Sequence, residues 1–254
     1  MGLFSADKKR GLKKRLSCSA VVAAAGVSQR MKGEDKLFTE IGGAPVLAHS
    51  LTALQRCAYI DEIIVVARED SIEPVGELCV KYGVTKATAV MAGGQTRLES
   101  VLIGALAASK KAKLIAIHDG ARPCVDQNTI ESAIAAAAEH HAAAPGIPVR
   151  STLKRVKDGI VRETVDRESL FEIQTPQVFE AHLIKAALTN AVRKSLDVTD
   201  DCMAVEFIGA PVFITGGSAE NIKITMAEDV KIAEAILMSR AADTRSDETS
   251  GAER

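Results

Sequence analysis

Tryptophan is absent from this chain, and aromatic residues make up only 3% of it. With 47% hydrophobic residues, a core must be assembled from Ala, Val, Ile and Leu. No apolar run approaches the roughly 20 residues that cross a membrane. Neither charge sign dominates: the formal net charge is −1. Composition therefore gives no case for a nucleic-acid partner, and each Lys and Arg has to be judged by position. The cysteines (Cys18, Cys57, Cys79, Cys124, Cys202) are few, scattered and odd in number, with no Cys-x-x-Cys. That argues against a disulfide framework or a zinc site and points to a reducing, cytoplasmic compartment. Two common phosphate-binding signatures, Gly-x-x-x-x-Gly-Lys-Ser/Thr and Gly-x-Gly-x-x-Gly, are also missing.

What is present is an alternation. A chain of 254 residues accommodates one large domain, or one domain with a small appendage. Strands are expected at Ser17 to Ala23, Glu62 to Ala67, Thr85 to Met91 and Lys113 to His118. Helices are expected at Val46 to Cys57, Ser71 to Tyr82, Arg97 to Ser109 and Asn128 to His140, then a short strand at Gly146 to Val149. Wholly apolar strands alternating with helices predict an α/β, Rossmann-like fold: a mostly parallel sheet with helices on both faces. Further on, Ala181 to Lys194, Asp201 to Phe207 and Ala227 to Ser239 read as helices, and Pro211 to Thr215 as a strand. The domain is expected over 17–240. Residues 1–16 carry Lys8, Lys9, Arg10, Lys13, Lys14 and Arg15 with no apolar stretch behind them, and read as a disordered basic arm rather than a secretory signal. The polar segment 241–254 reads as a disordered tail.

The rhythm breaks at about 151–171. Leu153, Arg155 and Val156 are followed by Asp158-Gly159, then Ile160, Val161, Thr164 and Val165. Asp-Gly between two such runs predicts a β-hairpin. So polar a hairpin buries little against its own domain. It is either a surface hairpin or a protruding arm that pairs with a second subunit.

The segment Ala23-Ala24-Ala25-Gly26 follows the apolar Ala20-Val21-Val22 and leads to Arg30 and Lys36. A bend nearly free of side chains lets backbone N–H groups approach phosphates. Two cations beyond it can neutralise charge that develops there. The same bend could equally need Gly26 for its backbone angles. His118-Asp119 ends the fourth strand, where ligands gather in such sheets. A carboxylate there, Asp119, is the candidate ligand for Mg²⁺ on a triphosphate; a turn cap is its plainer role. His118 reads as a packed residue. Gly93-Gly94 opens a helix that carries Ser100, suiting the approach of a flat base, although Thr96 as N-cap accounts for the connection without a ligand. Lys223, between Ile222 and Ile224, reads as a third cation or as a solvated edge residue. Thr199 is expected to cap the helix at Asp201 and could hold a phosphate. Arg167 lies at the base of the hairpin, where a salt bridge is the plainer role.

In order, the chain carries Ala-Ala-Ala-Gly…Arg-Met…Lys, Gly-Gly…Arg…Ser-Val, His-Asp…Ala-Arg-Pro, Pro-Val…Thr-Leu-Lys, Val-Asp-Arg, Gln-Thr-Pro-Gln-Val-Phe, Thr-Asp-Asp and Asn-Ile-Lys-Ile-Thr. The ordered set resembles the 2-C-methyl-D-erythritol 4-phosphate cytidylyltransferases of the non-mevalonate isoprenoid pathway, from about Ser19 to Met238. Ser151, Gly120 and Gln95 depart from the family pattern without removing a charged group. The resemblance implies a homodimer joined by interlocking arms, and a Mg²⁺-dependent reaction of CTP with methylerythritol phosphate that releases pyrophosphate. It implies that Arg30 and Lys36 stabilise the triphosphate and the transition state. Gly94 and Ser100 would lie at cytosine and ribose, Asp119 at the metal, and Lys223 at the phosphates. Thr152, Arg167 and Thr199 would hold the methylerythritol phosphate, with Arg167 supplied by the partner's arm and Arg122 shaping the pocket. A cytidylyltransferase for another polyol phosphate, such as ribitol 5-phosphate, is the alternative. A glycosyltransferase is disfavoured, because its usual Asp-x-Asp is replaced by His118-Asp119-Gly120.

Overall fold

Ala20, Val21 and Val22 are fully buried and point alternately to two different cores, which makes their strand the middle of the molecule. The computed structural model describes residues 15–26 and 35–251, with side chains through residue 242. The basic arm of the sequence reading, apart from its last residues, lies outside them, as does Arg30.

Strand β1 (Cys18–Ala24) is followed by a two-residue-stranded ribbon, β2 (Glu40–Ile41) and β3 (Ala44–Pro45), whose turn glycines Gly42 and Gly43 have positive φ. The chain then alternates: α1 (Val46–Arg56), β4 (Ile60–Ala67), α2 (Ile72–Lys81), β5 (Ala87–Ala92), α3 (Arg97–Ala107), β6 (Leu114–Asp119), α4 (Gln127–His140) and β7 (Ala142–Pro148). β4 and β6 flank β1, and β5 lies beyond β4, all parallel. Parallel neighbours require crossovers, and the helices that make them cover both faces of the sheet.

One core packs Ala20 and Val22 against Leu51, Leu54, Leu78 and Ile130 of the helices on that face. The other packs Val21, Ile64 and Val66 against Val101, Ile184 and Leu188. Alternate residues of each strand thus serve different layers, the period-2 rule applied to a strand apolar on both sides. Helix α3 lies very close to the sheet at Gly104. A methyl group there would stand 2.5 Å from Val21 Cγ1 and 2.7 Å from Val66 Cγ2.

The second half adds what alternation did not show. The hairpin β8 (Leu153–Lys157) and β9 (Ile160–Val165) forms a sheet of its own, with Asp158 and Gly159 both at positive φ, as a tight Asp-Gly turn demands. β10 (Phe171–Ile173) and β11 (Gln177–Glu180) follow, with a cis Thr175–Pro176 bond between them. β11 runs antiparallel between β6 and β7, and β10 pairs antiparallel with β7, so the sheet is mixed rather than uniformly parallel. α5 (Ala181–Arg193), α6 (Asp201–Glu206), β12 (Phe213–Gly216) and α7 (Ala227–Gly251) complete the chain. α7 continues past Met238 into the segment that reads as a tail in the sequence. Among the described residues no helix is long and apolar enough to cross a membrane.

Candidate active site

Register places the carboxyl ends of four parallel strands in one row: Ala23 of β1 pairs with Asp119 of β6, Ala24 with Ala67 of β4, and Ala67 with Ala92 of β5. The loops leaving these ends are tied together by backbone bonds. Gly120 N donates to Ala23 O at 3.1 Å, and Gly93 N to Ala67 O at 2.8 Å. A methyl group on Gly93 would stand 2.7 Å from Ala25 Cβ and 2.6 Å from Ser100 Oγ, so only glycine lets the two loops touch. Gly26 is exposed; its φ is not left-handed, and among the described residues a methyl group there would meet nothing within 4 Å. Gly26 is therefore not required there for a left-handed φ.

Asp119 is the electrostatic centre. Lys223 Nζ stands 2.8 Å from Asp119 Oδ2, Arg97 Nη2 3.4 Å from Oδ1, and Arg122 Nε 3.7 Å from Oδ2. Burial alone would raise the carboxyl pKa; the fields of Arg97, Lys223 and Arg122 outweigh it and hold the group well below the usual carboxylate range. Asp119 is thus an anion at any working pH, and it gathers more positive charge than it cancels. Its N–H donates to Thr175 Oγ1 at 3.1 Å, and that hydroxyl lies 3.1 Å from His118 Nδ1. His118 is fully buried and held neutral, its pKa pushed down to about 4 chiefly by burial, so it is a packed residue.

The segment carrying Lys223 is held by three neighbours of Asp119. Arg122 Nη1 donates to Asn221 O at 2.6 Å, Ile224 N to Ala121 O at 2.8 Å, and Asn221 Nδ2 to Thr175 O at 2.9 Å. Lys223 is coil, not edge strand, and its side chain is 38% exposed. Beyond it, Asp229 Oδ2 accepts from Thr225 N at 2.7 Å and Met226 N at 2.8 Å. Burial works against that anion, whose pKa these bonds and the charge of Lys36 together lower. Lys36 and the stretch after Lys223 therefore belong to the same neighbourhood.

Of the residues proposed from sequence, Ala24, Ala25, Gly26, Gly94, Asp119, Arg122 and Lys223 lie along this row of strand ends or on the loops joined to it. Ser100 is buried, and its hydroxyl is committed to the turn, accepting from Gly94 N at 3.1 Å and donating to Thr96 O at 2.8 Å. Thr96 caps α3 in a reciprocal arrangement with Glu99. Thr199 is not the N-cap of α6. Asp200 is, accepting from Met203 N at 2.9 Å, while the Thr199 hydroxyl contacts Met203 Sδ at 3.6 Å. A carboxylate outcompetes a hydroxyl for helix N–H groups. Thr152 and Arg167 are exposed at the foot of the hairpin, where Arg167 bonds Arg150 O.

Arg97 and Asp201 were missed. Arg97 donates to Asp201 through both Nη atoms, at 3.0 and 2.8 Å, while also facing Asp119. Burial pushes the Asp201 carboxyl up, and Arg97 opposes that shift. A signal existed: a cation in the first turn of α3 runs against the helix dipole and needs another reason to be there. Gln177 completes the link, its Oε1 accepting from Asp201 N at 3.0 Å and Cys202 N at 3.1 Å.

Small-residue bends and converging cations at the carboxyl ends of parallel strands define a class, the α/β proteins that handle phosphate-bearing ligands at that edge. The comparisons resolve it further. Residues 18–239 match the family described as IspD, 2-C-methyl-D-erythritol 4-phosphate cytidylyltransferase. The enzyme of that name from Halalkalibacterium halodurans is 43% identical over 86% of this chain and 96% of its own length. That from Clostridium acetobutylicum is 41% identical over 86% and 96% respectively. The crystal structure of the Thermus thermophilus enzyme superposes with a TM-score of 0.73 at 32% identity, covering 86% of this chain and 98% of that one. The 4-diphosphocytidyl-2C-methyl-D-erythritol synthase structure from Anaerococcus prevotii gives 0.76 at 30% identity, covering 88% and 99%. The chain belongs to this cytidylyltransferase family, and so to the nucleotidyltransferases.

Proposed function

We infer that the enzyme joins CTP to 2-C-methyl-D-erythritol 4-phosphate, giving 4-diphosphocytidyl-2-C-methyl-D-erythritol and pyrophosphate. The observation that carries the reading is the Lys223–Asp119 contact of 2.8 Å at the strand end that pairs with Ala23. It supports one cationic cradle beside the small-residue bend. The substrate's phosphate oxygen is already an anion, so no base has to create the nucleophile. That oxygen forms a bond to the α-phosphorus of CTP while the bond to the bridging oxygen breaks, and pyrophosphate leaves with the electron pair. Bringing two polyanions together is the main obstacle, which positioning and charge neutralisation overcome. Lys36, Lys223 and Arg30 are assigned that work. Ala24, Ala25 and Gly26 present backbone N–H groups to the phosphates, Gly94 lies against the nucleoside, and Ser100 holds the Gly94 turn in shape. Thr152, Thr199 and the partner's copy of Arg167 bind the methylerythritol phosphate, and Arg122 supports the pocket from beneath.

Mg²⁺ fits this donor set. Asp119 offers one permanently ionised, hard oxygen group, and no cluster of three metal-binding side chains exists among the described residues. Mg²⁺ characteristically takes one or two carboxylates and completes its shell with phosphate oxygens and water. When bound, it supplies further neutralisation of the triphosphate. The homodimer belongs to the same reading: Val156, Ile160 and Val161 on the hairpin are each more than half exposed, at 54, 58 and 54%. A second subunit would cover them. A cytoplasmic setting suits five cysteines that are all free and buried.

Pyrophosphate release tests the substrate. With CTP and Mg²⁺ present, methylerythritol phosphate should trigger it and ribitol 5-phosphate should not. Release with ribitol 5-phosphate alone would overturn the assignment.

A further inference from the structure

Away from the cluster at Asp119, another ion pair holds Asp35, the residue before Lys36. Arg68 directly follows Ala67, the last residue of β4. Its Nη2 donates to Asp35 Oδ2 at 2.7 Å and to Ser71 Oγ at 2.9 Å, and its Nε donates to Asp70 Oδ1 at 3.1 Å. The guanidinium is thus fixed by three side chains. The other oxygen of Asp35, Oδ1, accepts from Leu37 N at 3.1 Å, closing a ring of bonds around Lys36. Asp35 O accepts from Phe38 N at 2.9 Å and Thr39 N at 3.1 Å. Leu37 is buried, and its carbonyl accepts from Leu47 N at 3.0 Å. Lys36 therefore sits in a turn anchored on both flanks: Leu37 in the core, and Asp35 on the arginine at the end of β4.

An acid next to a triphosphate-binding lysine is costly unless it is neutralised, since it repels the polyanion. Arg68 cancels that charge and turns the acid into a strut. With side chains 29 and 22% exposed, the pair is neither buried nor fully solvated. As a plain surface ion pair it would add little to stability and nothing to rate.

We propose that Arg68 is a positioning residue: acting through Asp35, it sets the backbone of Lys36 so that the ammonium reaches the triphosphate. This rests on the assignment of Lys36 made above. Misplacing a reacting or stabilising group by about 1 Å can cost on the order of a hundredfold in rate.

Steady-state kinetics of full-length enzyme test it with Arg68→Ala, Arg68→Lys, Lys36→Ala and the double variant, each with a thermal melt. Arg68→Ala should lower kcat about tenfold, leaving the KM for methylerythritol phosphate and the melting midpoint little changed. Arg68→Lys should recover part of the rate, because an ammonium neutralises Asp35 without making the same fork of bonds. In the Lys36→Ala background, Arg68→Ala should cost nothing more, since both changes remove one function. Should Arg68→Ala fail to fold, Asp35→Asn keeps the acceptor for Leu37 N while removing the ion pair, and the same non-additivity is expected. Wild-type turnover in Lys36→Ala would sink the assignment of Lys36, and the proposal with it. A large loss in Lys36→Ala joined to an additive loss in the double variant, or unchanged turnover in Arg68→Ala, would sink the role of Arg68 alone.

Discussion

Lys223 Nζ lies 2.8 Å from Asp119 Oδ2, joining a coil near the carboxyl end of the domain to the strand beside β1. The ammonium is partly exposed while the carboxylate is nearly buried, so an incoming polyanion meets the cation first. Lys223→Ala should lower kcat by about 10²-fold or more, the usual consequence of removing one preorganised electrostatic donor. Its urea midpoint should stay close to wild type. Single-turnover measurement of pyrophosphate release, paired with a urea melt, separates the two effects.

Arg97→Ala should act on stability first. It leaves Asp201, whose side chain is 1% exposed, without its bidentate partner. Removing one partner of a buried pair costs about 3 kcal/mol or more. Urea unfolding should show that loss, and Arg97→Ala with Asp201→Asn should be less destabilised than the sum of the single variants.

His118 gives the fold a pH dependence of known sign. In the unfolded chain imidazole takes a proton as pH falls through about 6.5, whereas the buried ring stays neutral to about 4. Between those values the unfolded state binds more protons, so stability is complete above the window and declines as pH falls through it. Urea unfolding of wild type near pH 7 and near pH 5, compared with His118→Gln, should show about 2 kcal/mol more loss in wild type. Equal losses would show that another group dominates.

Among the described residues the hairpin's apolar side chains find no core, and a second subunit is the partner that would cover them. Ile160→Lys should halve the mass measured by analytical ultracentrifugation and weaken methylerythritol phosphate far more than CTP. Arg167→Ala should give the same kinetic selectivity in a particle of unchanged mass.

Much of this arrangement was legible in the residues. Wholly apolar strands such as Ile63 to Val66 are legible because burial on both faces leaves no room for polar alternation. The Asp158-Gly159 turn was legible because positive φ at consecutive positions admits few residue pairs. β11 was not: four residues between Pro176 and a helix carry too little periodicity, and its place between β6 and β7 is set by tertiary pairing. At the site, Asp119 and Lys223 stood out by position at strand end and loop. Arg97 and Asp201 did not: the misplaced cation at the start of α3 says only that Arg97 has a partner, and an ion pair between the first turns of two distant helices leaves no local trace of which one. Thr199 has the residue type of a cap but does not act as one, because the neighbouring carboxylate of Asp200 is the stronger acceptor.

The central claim is that the bend at Gly26, the Gly94 turn, Asp119 and Lys223 enclose one nucleotide. Titrating CTP with Mg²⁺ into isotope-labelled enzyme and following the backbone amides of those four residues by NMR tests it directly. The account predicts that all four shift along curves fitted by a single dissociation constant, and that Lys223→Ala weakens all of them together. Amides of Gly26 and Asp119 that respond with different constants, or fail to respond, would contradict it.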